Sequence, residues 1–169
     1  ILSGSTGFVG SFFTKYLIKK GIDVISLGRK NFSEISLYRR ELIKNSKYIK
    51  IDMKNIRQLP KLLLEKNISI DHDCIFFNLA WGGEKKLSDL NIEAQLMNVE
   101  YSINAFDIAN EIGCKKFIQV GTMEEAFTEK YLNLDYKIEN KYNRHVIYSV
   151  AKISAKNALK LRAKKSNIE

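Results

Sequence analysis

The segment YSVAK, Tyr148 to Lys152, sets a phenol and an ammonium four residues apart. On a helix that spacing puts both groups on one face, a turn from each other. Such a pair suits proton transfer at a hydroxyl or carbonyl group. A phenol is a poor base at neutral pH, with an ordinary pKa of about 10, and a neighbouring ammonium lowers it by favouring the phenolate. Spacing alone is weak evidence, because YLIKK repeats it at Tyr16 and Lys20, and two of eight tyrosines have a lysine at that distance. The surroundings must separate the two pairs.

GSTGFVG supplies a second kind of chemistry. Gly4, Gly7 and Gly10 follow the short apolar run ILS and open a helical pattern. There, Gly4 permits a tight turn, Gly7 lets the backbone approach a pyrophosphate, and Gly10 lets helix and strand pack closely. The helix N-terminus adds N–H donors and positive potential. A strand before and an amphipathic helix after make dinucleotide binding the reading. The next strand ends at Gly28-Arg29, with no acid. An acid there would bond a ribose 2′-hydroxyl and repel a 2′-phosphate. Arg29, assisted by Lys30, can pair with that phosphate, so NADP is favoured over NAD.

These residues need elements to position them. ILSG, IDVISL, YIKID, CIFFNLA and KFIQVGT read as short strands. Helical patterns fall at FVGSFFTKYLIKK, ended by Gly21, and near residues 54–66, 88–112 and 147–165, with Pro60 just inside its segment. Unbroken apolar strands alternating with helices predict an α/β fold, a Rossmann-type doubly wound parallel sheet. Such a sheet usually continues for one or two more strands. Residues 1–169 are therefore expected to be most of one NAD(P)-binding domain of a longer protein, incomplete at its C-terminus. Tyr16 shares the stripe of Phe12 and Phe13 and is expected in the core, with Lys20 solvated.

The chain has 169 residues, 45% of them apolar, enough for a real core. No run of 18 apolar residues could span a bilayer, so no membrane association and a cytoplasmic location are expected. The formal charge of +9 is spread along the chain. Its densest run, KNALKLRAKK, reads as a solvated helix face, so the partner expected is a small phosphate-bearing ligand and no nucleic acid. Cys74 and Cys114 lie in or beside apolar runs and read as small buried hydrophobes rather than as a disulfide. His72 and His145 stand alone, and no metal site is expected.

Together the motifs resemble the extended short-chain dehydrogenase/reductases, in the NAD(P)-dependent epimerase/dehydratase family that acts on nucleotide sugars. The GxxGxxG spacing followed by GF carries the resemblance at the start of the chain. It implies that Gly4, Thr6, Gly7, Phe8, Val9 and Gly10 hold the cofactor. IDM is similar to the family's Asp-apolar pair at adenine, giving Asp52 and Met53. FFNLAW resembles the strand that passes the cofactor, giving Leu79 and Ala80, with Asn78 and Trp81 where His and Ala are usual. NVEYSINAFDIA resembles the Asn-Val helix, giving Asn98. Thr122 aligns with the family's strand-end hydroxyl, and YSVAK follows 26 residues later.

The resemblance implies that Tyr148 moves the substrate proton and that Thr122 orients the same oxygen. Lys152 would lower the phenol's pKa and hold the nicotinamide ribose. Glu124 matches the Glu of a Thr-x-Glu dehydratase pattern and would be a second acid/base, with Glu125 as substitute. Met123 stands where one class of dehydratases has Asp, and Gly121-Thr122 then Ala126-Phe127 depart from the usual Ser-Ser before an aromatic-glycine pair. The implied activity is that of an NAD(P)-dependent nucleotide-sugar epimerase or dehydratase, and the resemblance also implies a C-terminal substrate domain absent from this chain. An NADPH-dependent nucleotide-sugar reductase and a catalytically silent dinucleotide-binding regulator are the alternatives. The implied partners are a nucleotide sugar and a second copy of the chain, paired through the helices near 88–112 and 147–165.

Overall fold

The computed structural model describes residues 1–83, 91–135, 137–138 and 145–168. The chain forms two compact units, Ile1–Ala80 with Asn104–Val120 and Ser166–Glu169, and Trp81–Ile103 with Gly121–Lys165.

The first unit holds a parallel five-stranded sheet in the order β3-β2-β1-β4-β5. Its strands are β1 (Leu2–Ser3), β2 (Ile25–Gly28), β3 (Lys47–Lys50), β4 (Ile75–Asn78) and β5 (Lys116–Gln119). The order runs outward in both directions from β1, the arrangement of a doubly wound sheet. The register pairs Leu2 with Ser26 and Phe77, and Ile75 with Lys116. Leu2, Leu27, Ile49 and Phe76 are fully buried. Phe76 stacks on Phe117 at 5.4 Å, and Phe106 meets Phe117 edge-on at the same separation. On β3, Ile49 is buried while Lys47 and Lys50 face out, charges that discourage strand addition at this side.

Helix α1 (Phe8–Lys19) buries Gly10, Ser11 and Thr14, and Phe13 meets Phe77 at 5.0 Å. Small residues set its close approach, so the aromatic row Phe8, Phe12 and Tyr16 lies on another face. Tyr16 is 55% exposed, which corrects the expectation of a core tyrosine. Lys20 is exposed as expected, with its ammonium 5.7 Å from the Tyr16 ring centre.

Two helical segments differ from the sequence reading. The stretch read as one helix near 54–66 is a 3₁₀ turn, Met53–Gln58, followed by α3 (Leu59–Glu65). Asn55 leaves helical geometry, and Pro60, lacking an N–H, suits the first turn of a new helix. Helix α2 (Leu37–Ile43) was not anticipated. It is short and buries only Leu42 and Ile43, so it has no readable stripe. Helices α1, α3 and α4 (Ile92–Glu111) stop in the same hydrogen-bonded way, at Gly21, Asn67 and Gly113. Residues 88–90 of the segment read as starting α4 lie outside the described residues.

The second unit contains the first part of α4, a 3₁₀ turn (Met123–Phe127), α5 (Thr128–Leu132) and α6 (Val146–Ala163). Helix α6 buries Ser149, Ala151, Lys152, Ala155 and Leu159, one face at helical spacing. Among the described residues no helix is long and apolar enough to cross a membrane.

Candidate active site

In the first unit the glycine loop is shaped as a cradle. Gly4 has φ +69°, and a Cβ there would lie 2.9 Å from the Ala80 amide nitrogen, so the loop touches Leu79 and Ala80, which directly follow β4. A Cβ at Gly10 would lie 2.2 Å from the Gly4 carbonyl oxygen. Gly7 is the N-cap of α1, with no side chain capping it and no acid in the first turn. The leading N–H groups of α1 thus lack a side-chain acceptor of their own, a setting that fits a pyrophosphate. Phe8 and Val9 are exposed beside them.

Around this loop, Thr6 sits against Gly28, whose Cβ would meet the Thr6 methyl at 2.8 Å and the Tyr48 hydroxyl at 2.6 Å. Arg29 is exposed directly after Gly28. Arg39, on α2, donates from Nη1 to the Thr6 carbonyl at 3.0 Å, so a second guanidinium stands at the loop. Sequence reading missed it because α2 carries no strong signal. Asp52 caps the following turn by accepting from the Lys54 amide at 3.1 Å, and Met53 is half-buried beside it. Asn78 accepts from the Ser3 hydroxyl at 2.5 Å and donates to Gln119 at 2.8 Å, while Ser3 Oγ accepts from the Ala80 amide at 3.1 Å. The residue found in place of the family's usual His is thereby tied into the sheet.

The second unit gathers Tyr148, Lys152, Thr122 and Trp81. Lys152 is 6% exposed, and its Nζ sits 3.8 Å from the Trp81 ring centre and 5.9 Å from that of Tyr148. Tyr148 meets Trp81 edge-on at 6.1 Å. Trp81 is itself pinned, its indole N–H donating to Gln95 Oε1 at 2.8 Å. Burial lowers Lys152 from the ordinary 10.5 to about 8, with the Glu125 charge opposing. Burial also pushes the Tyr148 phenol up, against a lowering hydrogen bond with Thr122, and the Glu124 and Glu125 charges push it the same way as burial. This reverses the expected direction for Tyr148. The reason is that an ammonium seated on an indole face, itself disfavoured by burial, does not outweigh the loss of water around the phenol.

The two glutamates are distinguished by their partners. Glu125 closes a capping box: its Oε1 accepts from the Thr122 amide at 3.0 Å, while Thr122 Oγ1 accepts from the Glu124 amide at 3.4 Å. Glu125 Oε2 also pairs with Lys156 at 3.2 Å. Gly121 leaves room for this carboxylate, since a Cβ there would lie 2.8 Å from its Oε1. Both oxygens of Glu125 are thus engaged structurally. Glu124 Oε2 accepts from the Tyr131 hydroxyl and lies 3.2 Å from His145 Nδ1. His145, which stands alone in the sequence, is therefore a carboxylate partner, reached only because α6 returns beside the turn. Asn98, buried on α4, accepts from the Gly82 amide at 2.7 Å and donates to the Gly82 and Ala94 carbonyls at 3.0 and 2.9 Å. Its amide holds the backbone after Trp81. No group of three or more metal-binding side chains occurs among the described residues.

Among curated proteins no sequence matches the chain. Solved structures similar to it include UDP-glucose 4-epimerase with UDP-glucose from Thermotoga maritima, at 18% identity and TM-score 0.68, covering 99% of this chain and 52% of that one. UDP-glucose 4-epimerase from Bifidobacterium longum in complex with NAD+ and UDP is similar at 22% identity and TM-score 0.69, covering 97% and 48%. dTDP-glucose 4,6-dehydratase from Bacillus anthracis in complex with NAD is similar at 18% identity and TM-score 0.64, covering 99% and 51%. These likenesses show the fold, and the chain spans about half the length of the proteins it matches. The model of the NAD dependent epimerase/dehydratase family matches residues 1–169, the whole chain. The chain belongs to the NAD dependent epimerase/dehydratase family.

Proposed function

We propose that this protein is an NADP-dependent epimerase or dehydratase of a nucleotide-activated sugar, and that Tyr148, Lys152, Thr122 and Glu124 carry its proton transfers. The observation that supports this most is the gathering of those four side chains in one unit, with Glu124 held by two partners of its own. The loop Gly4 to Gly10, with Thr6, Phe8 and Val9, would hold the pyrophosphate. Asp52 and Met53 would hold adenine, and Leu79 and Ala80 the chain beside the dinucleotide. A nicotinamide held there would supply hydride acceptance and return. Tyr148 takes the proton of the sugar hydroxyl and Thr122 orients that oxygen. Lys152 in its charged form favours the phenolate, and Asn98 keeps Trp81 and Gly82 in place. Glu124, the carboxylate beside His145, serves as the second acid/base, which favours dehydration within the reading. A homodimer through α4 and α6 fits the exposed Leu96, Met97 and Leu161 on these helices.

Adding UDP-, GDP- or dTDP-hexoses to the intact protein loaded with oxidised cofactor tests the reaction. Transient reduced-nicotinamide absorbance with one of them is expected. Its absence with all three classes, at concentrations where the sugar nucleotide binds, overturns the assignment.

The NADP preference rests on Arg29, with Arg39 beside the same loop. Arg29→Asp removes a charge-assisted pair and adds repulsion, so NADP affinity should fall by about 10–100-fold while NAD affinity holds or rises. Titration of both cofactors into wild type and variant checks this, and an unchanged ratio sinks it.

A further inference from the structure

Cys74 and Cys114 stand at the amino ends of neighbouring parallel strands, one residue ahead of β4 and two ahead of β5. The register that pairs Ile75 with Lys116 sets Cys74 across from Lys115, whose amide donates to the Cys74 carbonyl at 2.8 Å. Cys114 is fixed from the other side, where its amide donates to the Ala109 carbonyl at 2.9 Å as part of the stop of α4. The two sulfurs are 3.5 Å apart, with the Cys114 thiol donating to Cys74 Sγ, and both thiols are free. A disulfide has its sulfurs about 2.05 Å apart, so a closure of roughly 1.5 Å would form one.

Access to the pair is one-sided. Cys114 is 5% exposed, whereas Cys74 is half-buried. Cys74 is therefore not the buried hydrophobe expected from its run. These thiols lie at the strand ends opposite the glycine loop, which follows the carboxyl end of β1.

We propose that Cys74 and Cys114 are a peroxide-sensitive dithiol that closes to a disulfide across the amino ends of β4 and β5. The oxidant is hydrogen peroxide. The Cys74 thiolate attacks one peroxide oxygen and the O–O bond breaks. The departing hydroxide takes a proton to become water, and Cys74 is left as a sulfenic acid. The Cys114 sulfur then attacks the Cys74 sulfur, the S–O bond breaks, and the released hydroxide leaves as water with the Cys114 thiol proton. Two thiols have lost two electrons and one peroxide has become two waters. The division of roles follows from the pairing. The hydrogen bond from Cys114 lowers the Cys74 thiol below its ordinary range, whereas the same bond and burial push Cys114 up. Cys74 is the attacking thiol and Cys114 the resolving one.

Peptide mapping of the intact protein after brief peroxide treatment and alkylation tests this. The expected result is a linked peptide containing Cys74 and Cys114, lost on addition of dithiothreitol. A Tm several degrees above that of the reduced protein should accompany it, since the bridge closes a loop of about 40 residues. Cys114→Ala should accumulate Cys74 sulfenic acid that a dimedone reagent traps, and Cys74→Ala should leave Cys114 unmodified. If both thiols of the wild type remain alkylatable after peroxide, or Cys74 passes to the sulfinic acid without a linked peptide, the proposal fails. The wild-type map decides even where a variant does not fold.

Discussion

Tyr148→Phe is expected to lower turnover by about 10²–10⁴-fold with little change in stability, and Lys152→Met to abolish turnover while making the protein more stable at pH 7. The contrast follows from what each side chain does in the fold. Removing the Tyr148 hydroxyl leaves its ring edge-on to Trp81, so the packing survives and only the proton carrier is lost. Lys152 is different because its burial works against it. Its pKa falls from the ordinary 10.5 to about 8 in the fold. Between those values the unfolded chain binds the proton and the folded chain does not. Stability therefore rises with pH across that window, and the full penalty is present below about 8. Lowering a pKa by one costs the charged form about 1.4 kcal/mol, and the ammonium's contact with Trp81 returns part of the total, so Lys152→Met should gain about 1–3 kcal/mol at neutral pH. The gain should disappear above pH 10.5, where the lysine is neutral in both states. Thermal melts at pH 7 and near pH 11, alongside turnover of the true substrate, would check the pair. Near-native turnover by Tyr148→Phe, or a less stable Lys152→Met at pH 7, would refute it.

Gly10→Ala is expected to destabilise the fold by more than about 3 kcal/mol and to weaken dinucleotide binding at least tenfold. The added methyl would sit 2.2 Å from the Gly4 carbonyl oxygen and 2.9 Å from both the Gly4 carbonyl carbon and Ser5 Cα. All three are backbone atoms, so no side-chain rotamer can relieve the overlap and α1 must move off the loop. Overpacking a well-packed site usually costs about 1–3 kcal/mol, and a contact this short lies beyond that range. Shifting α1 also moves the N–H groups that would meet the pyrophosphate. Gly7→Ala is the internal control. Gly7 has φ −75°, and the nearest atom to its Cβ is 3.1 Å away, so a much smaller loss of stability is expected there, although its place at the pyrophosphate means that dinucleotide binding weakens in both variants. Chemical denaturation and cofactor titration of both variants would separate the positions. Equal losses of stability would show that the close approach at Gly10 is not what holds the loop.

Much of the first unit was legible because its signals are local. Gly4 and Gly10 are read from spacing, since the turn and the helix they open lie within ten residues. Strand-helix alternation gave the parallel sheet for the same reason. Tyr16 was misread because periodicity identifies a stripe without saying which stripe packs, and on α1 the small residues Gly10, Ser11 and Thr14 take the inner face. Helix α2, and with it Arg39, escaped notice because a seven-residue helix with two buried side chains makes no pattern.

The amino-acid sequence by itself determined the glycine loop, the absence of an acid after β2, and the placing of Tyr148 and Lys152 on one helical face. Each of these depends on neighbours a few residues apart, whose geometry a turn or helix dictates. Only the tertiary structure decided that Lys152 rests on Trp81 and that Glu124 is shared by Tyr131 and His145. It alone paired Glu125 with Lys156 and brought Cys114 to Cys74 from 40 residues away. Those contacts and the directions of the Tyr148 and Lys152 pKa shifts depend on which segments return to the same place and how much water they exclude, quantities set by packing and not by local spacing.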